Sequence, residues 1–455
     1  MFQFRNLSVA ALMCLAAPFA QASTVAIIDS GVDISHPDLS KKVWVNPSET
    51  LNQKDDDSNG FVDDINGWNF FANSNEIIDL QYESLFSDDI NMFFDIQEKY
   101  LLGTATEVDI AWIKDKASDP EFVASINKYG TFVHGTHVAG IAAAGNNDAK
   151  ILTIRLVPVE NPLLQLKKDI MAANRDNREL DFFKKLLLKG GLAVLAKAQG
   201  AAFGLVGDYT NTSRVDVANA SLGVGVTQAR LIVAPLVKLA GGEETDTATI
   251  DEMAIYFVAE AVKAQQSLAT SSKKTLFVYA SGNDGTDNDV FPTSPANSGL
   301  ENTISVGASI GYQAIAPFSN YGRTTVDVLA PGVGIISSTP GNHYMALSGT
   351  SQAAPFVAGV AAGMKDVNPR LTPHEMKRIL TGTVDIKDEF KSKVASSGIV
   401  NRERALHAAE LSKTMTVVEA IAAARSEIED HDVSSHIVNV DNVIPTPIGS
   451  PIIAN

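Results

Sequence analysis

VAIIDSG, residues 25–31, is the stretch that indicates the fold. Its apolar run is rich in β-branched residues, which is typical of a short strand buried on both faces. The run ends at Asp29, so a carboxylate stands at the carboxyl end of the strand, the edge where open α/β sheets place their sites. A buried carboxylate there needs a charged or hydrogen-bonding partner. Taken alone, Asp29 is equally compatible with an ordinary strand-end cap.

Five further strand-like apolar runs follow along the chain, at residues 151–157, 215–218, 275–280, 303–306 and 326–329. Helical patterns rich in Ala and Gly separate them, for example at residues 138–144 and 356–364. Small residues of this kind allow helices to pack closely. The alternation predicts an α/β fold with a mostly parallel central sheet and helices on both of its faces.

Two regions interrupt this alternation. Residues 72–130 are rich in acidic and aromatic residues, and residues 159–214 contain a helical pattern at 182–198. We predict that both are insertions folded onto the rim of one domain, with a small subdomain as the alternative. The predicted domain covers residues 23–411. After it, residues 412–455 are predicted to form one helix, near 416–428, and a proline-containing tail.

Composition excludes several classes of protein. Of 455 residues, 53 are acidic and 36 are basic, which gives a formal net charge of −17. A nucleic-acid-binding surface needs a cationic footprint, so this charge argues against nucleic acid as a partner. A hydrophobic content of 45% indicates a buried core rather than a disordered chain. With one cysteine, Cys14, an intrachain disulfide is impossible.

The N-terminal stretch is typical of a secretory signal peptide. Residues 1–22 contain one cation, Arg5, an apolar run at 9–17, and Ala-Gln-Ala at 20–22 as a cleavage site. A buried N-terminal helix is the alternative, and a lipid anchor on Cys14 is disfavoured by the bulky Met13 before it. No other segment is expected to be apolar and long enough to span a membrane. We therefore expect a secreted protein, extracellular or periplasmic.

A second polar motif is HGTHVAG, residues 134–140. It leads into the Ala-rich helix predicted at 138–144, so the imidazole of His134 is expected to face a cleft from the start of that helix. His134 and His137 are three residues apart with no Glu between them, whereas a zinc protease needs His at i and i+4 with a Glu. Metal ligation is therefore disfavoured. We expect His137 to form hydrogen bonds inside the fold.

A third motif is SGTSQAAP, residues 348–355. Ser351 is expected to open a helix, where the positive end of the helix dipole favours negative charge. A nucleophilic serine also needs a base that takes its proton and donors that stabilise the oxyanion. Alone, Ser351 reads as a helix N-cap. Together, an Asp, a His and a Ser in this chain order make a catalytic triad far more specific than any one motif.

These motifs resemble those of the subtilisin family, the subtilases, which are serine endopeptidases. The resemblance covers roughly residues 24–409 apart from the two insertions. It implies that Ser351 is the nucleophile, that His134 is the general base and then the general acid, and that Asp29 orients the imidazolium. It also implies that Asn283, in ASGNDG at residues 280–285, is an oxyanion-hole donor.

The same resemblance implies a protein or peptide substrate and assigns two substrate-binding segments. The first would pair with an extended peptide through backbone hydrogen bonds, and consists of Ser221, Leu222 and Gly223. The second would form the facing wall of the first specificity pocket, and consists of Ala280, Ser281 and Gly282. Small residues in that wall favour an open pocket that tolerates apolar side chains. The sequence does not indicate the oligomeric state.

An acidic loop, DDDSNGFVDD at residues 55–64, suggests structural calcium. Its spacing of oxygen-bearing side chains follows that of calcium-binding loops, and hard oxygen ligands suit Ca²⁺. The twelfth position is Asn66 rather than Glu, so an EF-hand is not expected. The alternative is a solvated acidic turn. The predicted calcium ligands are Asp55, Asp57, Asn59, Phe61 and Asp63.

The sequence is also compatible with two kinds of protein that are not enzymes. One is a non-catalytic protein of the same fold that binds peptides, and the other is a calcium-dependent surface protein. Labelling of Ser351 by a serine-reactive phosphonate would discriminate between these and a hydrolase. The predicted signal cleavage leaves only residues 23–28 before Asp29, so no N-terminal propeptide is expected. The insertions or the tail are then expected to restrain the enzyme, and the insertions to narrow its cleft.

Overall fold

The computed structural model describes residues 22–146, 148–160, 180, 182–243 and 245–431. The predicted signal peptide, except its last residue, lies outside the described residues. So do residues 161–179 of the second predicted insertion and the tail beyond residue 431.

A large central sheet forms the middle of the molecule. Its strands are β1 (Thr24–Asp29), β2 (Gly67–Asn69), β3 (Lys150–Arg155), β4 (Val217–Ala220), β5 (Leu276–Ala280), β6 (Thr303–Ile310), β7 (Ala314–Ile315), β8 (Val328–Pro331), β11 (Asp385–Ile386) and β12 (Gly398–Ile399). Their order is β11-β12-β8-β6-β5-β4-β1-β3-β2, and β7 pairs with β6. The pairs β6–β7 and β11–β12 are antiparallel, and the others are parallel. A separate antiparallel hairpin consists of β9 (Ile335–Thr339) and β10 (His343–Leu347).

Helices flank the sheet. Those of the described chain that exceed one turn of α-helix are α1 (Asp88–Leu101), α2 (Glu107–Ala117), α3 (Pro120–Ala143), α4 (Phe182–Thr212), α5 (Val226–Leu239), α6 (Thr247–Ser271), α7 (Thr350–Val367), α8 (Pro373–Gly382), α9 (Arg402–Leu411) and α10 (Val417–Glu427). Short 3-10 helices lie at Leu80–Leu85, Ala296–Ser298 and Asp388–Phe390.

Strand β1 shows why the sheet is at the centre. Its side chains alternate between two cores, as expected for a strand with a two-residue period. Val25 and Ile27 belong to a core that includes residues of α3 and α7, whereas Ala26 and Ile28 belong to one that includes residues of α4 and α6. All four are fully buried. The predicted α/β fold with a mostly parallel sheet between helices is confirmed.

Helix α3 is longer than the predicted helix at 138–144. Asp119 caps its N-terminus by accepting hydrogen bonds from two backbone N–H groups, and Pro120 occupies the first turn. Apolar residues spaced by three or four positions, including Ile126, Tyr129 and Val133, then bury one face. Consequently His134 lies in the middle of a helix rather than at its start. The last part of the first predicted insertion, up to residue 130, forms the amino-terminal half of this helix.

The rest of the first insertion covers the β9–β10 hairpin. Phe93 and Phe94 of α1 share a hydrophobic cluster with Met345 and Leu347 of β10. Strand β10 leads directly into the turn before α7. The packing of α1 therefore reaches the segment that carries Ser351.

Helix α4 also extends well beyond its predicted end at residue 198. Gly200 and Gly207 lie so close to α6 that an added Cβ would come within 2.6 Å and 2.4 Å of its backbone oxygens. Phe203 and Tyr209 join the core on one face of the sheet. The end of the second predicted insertion therefore packs in the helical layer beside the sheet. By length and composition alone α4 could cross a membrane, contrary to the expectation from the sequence, and 22% of its most apolar 18-residue stretch is buried.

A buried arginine connects the carboxyl-terminal elements to the sheet. Arg404 of α9 is 2% exposed and pairs with Asp385 of β11 at 3.2 Å and with Asp430 at 2.7 Å. Its remaining N–H groups donate to the backbone carbonyls of residues 383, 384 and 428. The guanidinium of Arg404 therefore forms hydrogen bonds or ion pairs with three segments, namely the end of α8, the edge strand β11 and the chain after α10.

We expect Arg404→Met to lower the free energy of unfolding by about 3–5 kcal/mol, because it removes the arginine from the buried carboxylate of Asp385 and leaves it only Asn401 and His431 as side-chain partners among the described residues. Urea unfolding followed by circular dichroism, in a Ser351→Ala background that removes the nucleophile, measures this change. The control is Arg370→Met, at an exposed arginine. Equal effects of the two substitutions would contradict the assigned role of Arg404.

Candidate active site

The carboxyl edge of the sheet brings Asp29 and His134 together. Asp29 is the last residue of β1 and is fully buried, and His134 of α3 is 2% exposed. The Nδ1 atom of His134 lies 2.8 Å from Oδ1 of Asp29, which also accepts a hydrogen bond from the N–H of Ser30 at 2.7 Å. The other oxygen, Oδ2, is buried with no hydrogen-bond partner among the described residues. The charge of Asp29 is therefore available to stabilise a protonated imidazole.

Glycines allow this approach of helix to strand. A Cβ on Gly135 would lie 2.2 Å from the carbonyl oxygen of Gly31, so α3 passes directly over the end of β1. Gly31 has φ of +121°, a conformation that favours glycine, and a Cβ there would meet the backbone of Ile77 at 2.4 Å. The glycines beside Asp29 and His134 are thus required by geometry.

Ser351 lies in the first turn of α7, as predicted. Its hydroxyl donates to the backbone carbonyl of Ser221 at 3.3 Å, and the hydroxyl of Ser221 donates to the carbonyl of Ser351 at 3.0 Å. In this arrangement the hydroxyl points to Ser221 and not to the imidazole of His134. Catalytic hydrogen bonds often form only when substrate is bound, and a change of side-chain rotamer redirects a serine hydroxyl.

Asn283 lies beside the start of the same helix. Its Oδ1 atom accepts hydrogen bonds from the N–H of Thr350 at 2.8 Å and from the Thr350 hydroxyl at 2.9 Å. This fixes the amide with its oxygen toward α7 and leaves the NH₂ group as a donor. That group, Nδ2, lies 3.5 Å from the position a Cβ would take on Gly349. The amide donor of Asn283 and the first N–H groups of α7 therefore lie around the same turn, at Gly349.

The two predicted substrate segments follow the neighbouring parallel strands β4 and β5. In the first, Ser221 is 1% exposed and Leu222 is 8% exposed, whereas Gly223 is half-buried. Ser221 contacts Ser351, as described above, and a Cβ on Gly223 would lie 2.6 Å from the Ser294 carbonyl oxygen.

In the second segment, Ala280 and Ser281 are buried and Gly282 is half-buried. Ser281 donates to the carbonyl of Asn320 at 3.1 Å, and the N–H of Gly282 donates to the Thr350 hydroxyl at 3.2 Å. The segment follows β5, and the hydrogen bond from Gly282 to Thr350 connects it to the first turn of α7. Both glycines are the most exposed members of their segments.

Sequence reasoning missed Asn320, which holds the segment around Asn283 in place. It is fully buried, its Oδ1 accepts from the N–H groups of Asp284 and Thr286, and its Nδ2 donates to the Ser281 carbonyl at 3.2 Å. The nearest of these partners is more than 30 residues away in the chain. No local pattern in the sequence could have indicated this role.

His137 is buried away from the site. Its Nε2 lies 3.0 Å from the carbonyl of Ile335 and 3.1 Å from that of Met345, so it donates to the β9–β10 hairpin. This is the internal hydrogen bonding that the sequence predicted. Burial lowers the pKa of His137 to about 3, with a smaller contribution from the nearby His134. The imidazole is therefore neutral in the folded protein at ordinary pH.

The acidic loop brings together a donor set that differs from the predicted one. Of the predicted residues, Asp57 has a carboxylate oxygen within 4.8 Å of one each from Glu49 and Asp64. Asp55 instead accepts from the N–H groups of residues 59 and 60, and Asp63 from those of residues 52 and 53. The Asn59 amide donates to Asp57 and Asp64, and the N–H of Phe61 donates to Asn59 Oδ1.

The three gathered carboxylates have the chemistry of a cation site. Asp64 is fully buried, and burial raises its pKa, partly offset by hydrogen bonds from Asn46 and other neighbours. The Asn46 amide donates to both Asp57 and Asp64, at 3.0 Å and 2.9 Å. Hard carboxylate oxygens are the ligand type that Ca²⁺ prefers.

The parallel sheet thus brings a carboxylate–imidazole pair and a serine at a helix start to the same edge, and serine hydrolases use groups of these three kinds. The sequence pattern of the family described as Peptidase_S8, subtilase family, matches residues 20–405. The chain belongs to the subtilase family.

Two relatives illustrate the similarity. The Alkaline protease of Alkalihalobacillus alcalophilus is 30% identical over 272 residues, which are 60% of this chain and 54% of that protein. Subtilisin Savinase of Lederbergia lenta is 30% identical over 272 residues, which are 60% of this chain and 77% of that protein. The chain therefore matches about half the length of the first relative.

A solved structure, that of a cold-adapted subtilisin-like serine proteinase, is 20% identical. The alignment covers 84% of this chain and 88% of that one, with a TM-score of 0.41.

The low pKa of His137 predicts a loss of stability in acid. The unfolded state binds a proton at His137 below pH about 6.5 and the folded state only near pH 3, so stability from this group is present above pH 6.5 and falls as pH decreases toward 3. In the Ser351→Ala background, His137→Gln should remove a slope of about 1.4 kcal/mol per pH unit between pH 6 and 4.

Urea unfolding at a series of pH values measures this slope. The control is His374→Gln, at an exposed histidine, which should keep the slope of the parent protein. An unchanged slope in His137→Gln would show that His137 is protonated in the folded state.

Proposed function

We propose that this protein is a serine endopeptidase that cleaves peptide bonds through an acyl-enzyme at Ser351. The observation that carries the proposal is the 2.8 Å contact between buried Asp29 and His134, at the same sheet edge as Ser351. Membership of the subtilase family supports it. Ser351 is connected to that edge through its hydrogen bonds with Ser221, which follows the neighbouring strand β4.

In the proposed reaction, His134 acts through its Nε2 atom, because Nδ1 is bound to Asp29. The Ser351 hydroxyl leaves the Ser221 carbonyl, turns toward Nε2 and attacks the scissile carbonyl carbon while Nε2 takes its proton. Asp29 stabilises the imidazolium that forms. Among the described residues, no other cation pairs with Asp29. His134 then returns the proton to the leaving amine, and water releases the acyl group by the reverse sequence.

The oxyanion would be stabilised by two donors, the N–H of Ser351 and Nδ2 of Asn283. Both are held before the substrate arrives, because Asn283 is fixed by Thr350 at 2.8 Å. Donors that need no reorganisation at the moment of reaction contribute most to transition-state stabilisation. The amino-terminal end of α7 adds its positive dipole at the same place.

The substrate would bind as an extended peptide between the segments after β4 and β5. The half-buried glycines, Gly223 and Gly282, leave the backbone of both segments accessible. Backbone pairing of this kind binds many sequences and leaves selection to the side-chain pockets. The predicted signal peptide leads us to propose that the enzyme acts outside the cytoplasm.

The proposed nucleophile is tested by labelling the purified protein with a serine-reactive fluorophosphonate. Wild type should be labelled at Ser351 and should hydrolyse a denatured protein substrate, and Ser351→Ala should do neither. Loss of one oxyanion donor in subtilisin lowers kcat by about 10²–10³, and Asn283→Ala should lower kcat by the same order.

The matched control is Asn302→Ala, at an asparagine that hydrogen-bonds the backbone of residues 269–275 away from the site. It should keep kcat near wild type once folded. A protein that binds peptides but is neither labelled nor hydrolytic would show a non-catalytic subtilase fold instead.

We also propose that Glu49, Asp57 and Asp64 bind Ca²⁺ and so stabilise the loop at residues 49–64. Calcium at 100 times its dissociation constant would add about 2.7 kcal/mol to stability. In the Ser351→Ala background, EDTA should lower the melting temperature, and Asp57→Asn should abolish that response.

Asp55→Asn is the discriminating control, because Asp55 belongs to the predicted ligand set but not to the gathered cluster. It should keep the response to EDTA. Loss of the response in Asp55→Asn alone would favour the spacing-based set, and no response in the parent protein would exclude calcium.

A further inference from the structure

Glu98 is a buried acid that the proposed chemistry does not use. It belongs to α1, within the first predicted insertion, and is 6% exposed. The hydroxyl of Ser348 donates to its Oε2 atom at 2.5 Å. The same hydroxyl oxygen accepts from the N–H of Gly334 at 2.8 Å. A chain of two hydrogen bonds thus ends at the Glu98 carboxyl.

Ser348 lies three residues before Ser351, where β10 passes into α7. The next residue, Gly349, donates its N–H to the carbonyl of Gly332 at 2.8 Å. On the other side of the turn, Thr350 donates to Asn283, as described above. Hydrogen bonds therefore hold the turn before Ser351 at three successive residues, Ser348, Gly349 and Thr350. The bond at Ser348 is the one to Glu98.

Neighbouring elements hold the Glu98 carboxyl in place. Phe94, one helical turn before Glu98, packs with Met345 and Leu347 of β10. The loop at Gly334 crosses close to the carboxyl, because a Cβ on that glycine would lie 3.7 Å from Oε2. Gly334 has φ of +64°. Helix, loop and strand therefore meet at this one side chain.

No cation compensates Glu98 among the described residues. The charged group that acts on it is Asp95 of its own helix, which raises its pKa, and the 334 loop and β10 offer it only the Gly334 amide and the Ser348 hydroxyl. Burial, the largest cause, raises the pKa of Glu98 to about 7, while the bond from Ser348 lowers it. A buried acid without a cation is costly, which argues for a role beyond packing.

We propose that Glu98 is a positioning residue for Ser351: its carboxylate holds Ser348 and thereby fixes the turn that presents the nucleophile and its N–H. This inference rests on the proposed peptidase function. A hydrogen bond to an ionised carboxylate is stronger than one to the neutral acid. The turn is therefore held more firmly above neutral pH, and the turnover rate gains a pH dependence that comes from Glu98.

The test compares Glu98→Gln, Ser348→Ala, the double variant and the control Gln97→Ala, at the neighbouring residue of the same helix. The readouts are kcat and KM against pH, and the rate at which a fluorophosphonate labels Ser351. Ser348→Ala should lower kcat about tenfold with KM within about twofold, because it loosens the turn and not the substrate segments. Glu98→Gln should lower kcat less and remove one ionisation near pH 7 from the profile.

The double variant should be no slower than Ser348→Ala, because Glu98 acts through Ser348. Gln97→Ala should match wild type. Superimposable pH profiles of Glu98→Gln and wild type, or additive effects in the double variant, would overturn the inference. If Ser348→Ala does not fold, the profile of Glu98→Gln decides. If wild type is labelled at Ser351 but hydrolyses no substrate, the proposed peptidase function is contradicted instead. The labelling rates of wild type and Glu98→Gln then still test the role of Glu98.

Discussion

The contact between the buried carboxylate of Asp29 and the ring of His134 is the constraint on which the site depends. A carboxylate at the end of β1, with 0% exposure, loses its hydration and is tolerable only with strong partners. Helix α3 provides the imidazole, and it can do so only because Gly31 and Gly135 let helix and strand touch. The buried carboxylate of Asp29 requires a hydrogen-bonding partner. The close packing of α3 on β1 provides that partner.

The sheet then places the other groups by its topology. Parallel strands β1, β4 and β5 are neighbours, so their carboxyl ends meet at one edge. Asp29 is the last residue of β1, the Ser221 segment follows β4, and the Asn283 segment follows β5. Helix α7 starts at that edge, and its first turn is bonded to both neighbouring segments. Groups separated by more than 100 residues are thereby held in one small volume.

The regions that interrupt the strand pattern are structural parts of this arrangement. The first provides the amino-terminal half of α3, and its α1 packs on the strand that leads to Ser351. The second ends in α4, whose glycines lie against α6 and whose Phe203 and Tyr209 complete a core. Both were expected on the rim, because neither the acidic and aromatic composition of the first nor the helical pattern of the second reveals what it packs against. Glu98 is an example: its partner Ser348 is 250 residues away.

The sequence by itself determined the strands buried on both faces, because such strands are continuous apolar runs. It also predicted catalytic residues, because Asp29, His134 and Ser351 each stand beside glycine in a polar motif. Short edge strands and the β9–β10 hairpin carry no such run and were missed. Only the tertiary structure decided which carboxylates of the acidic loop face one another, where the Ser351 hydroxyl points, and which buried acid lies behind the nucleophile's turn. The physical reason is that burial, charge environment and hydrogen-bond partners are set by chain segments distant in sequence, and no local pattern contains them.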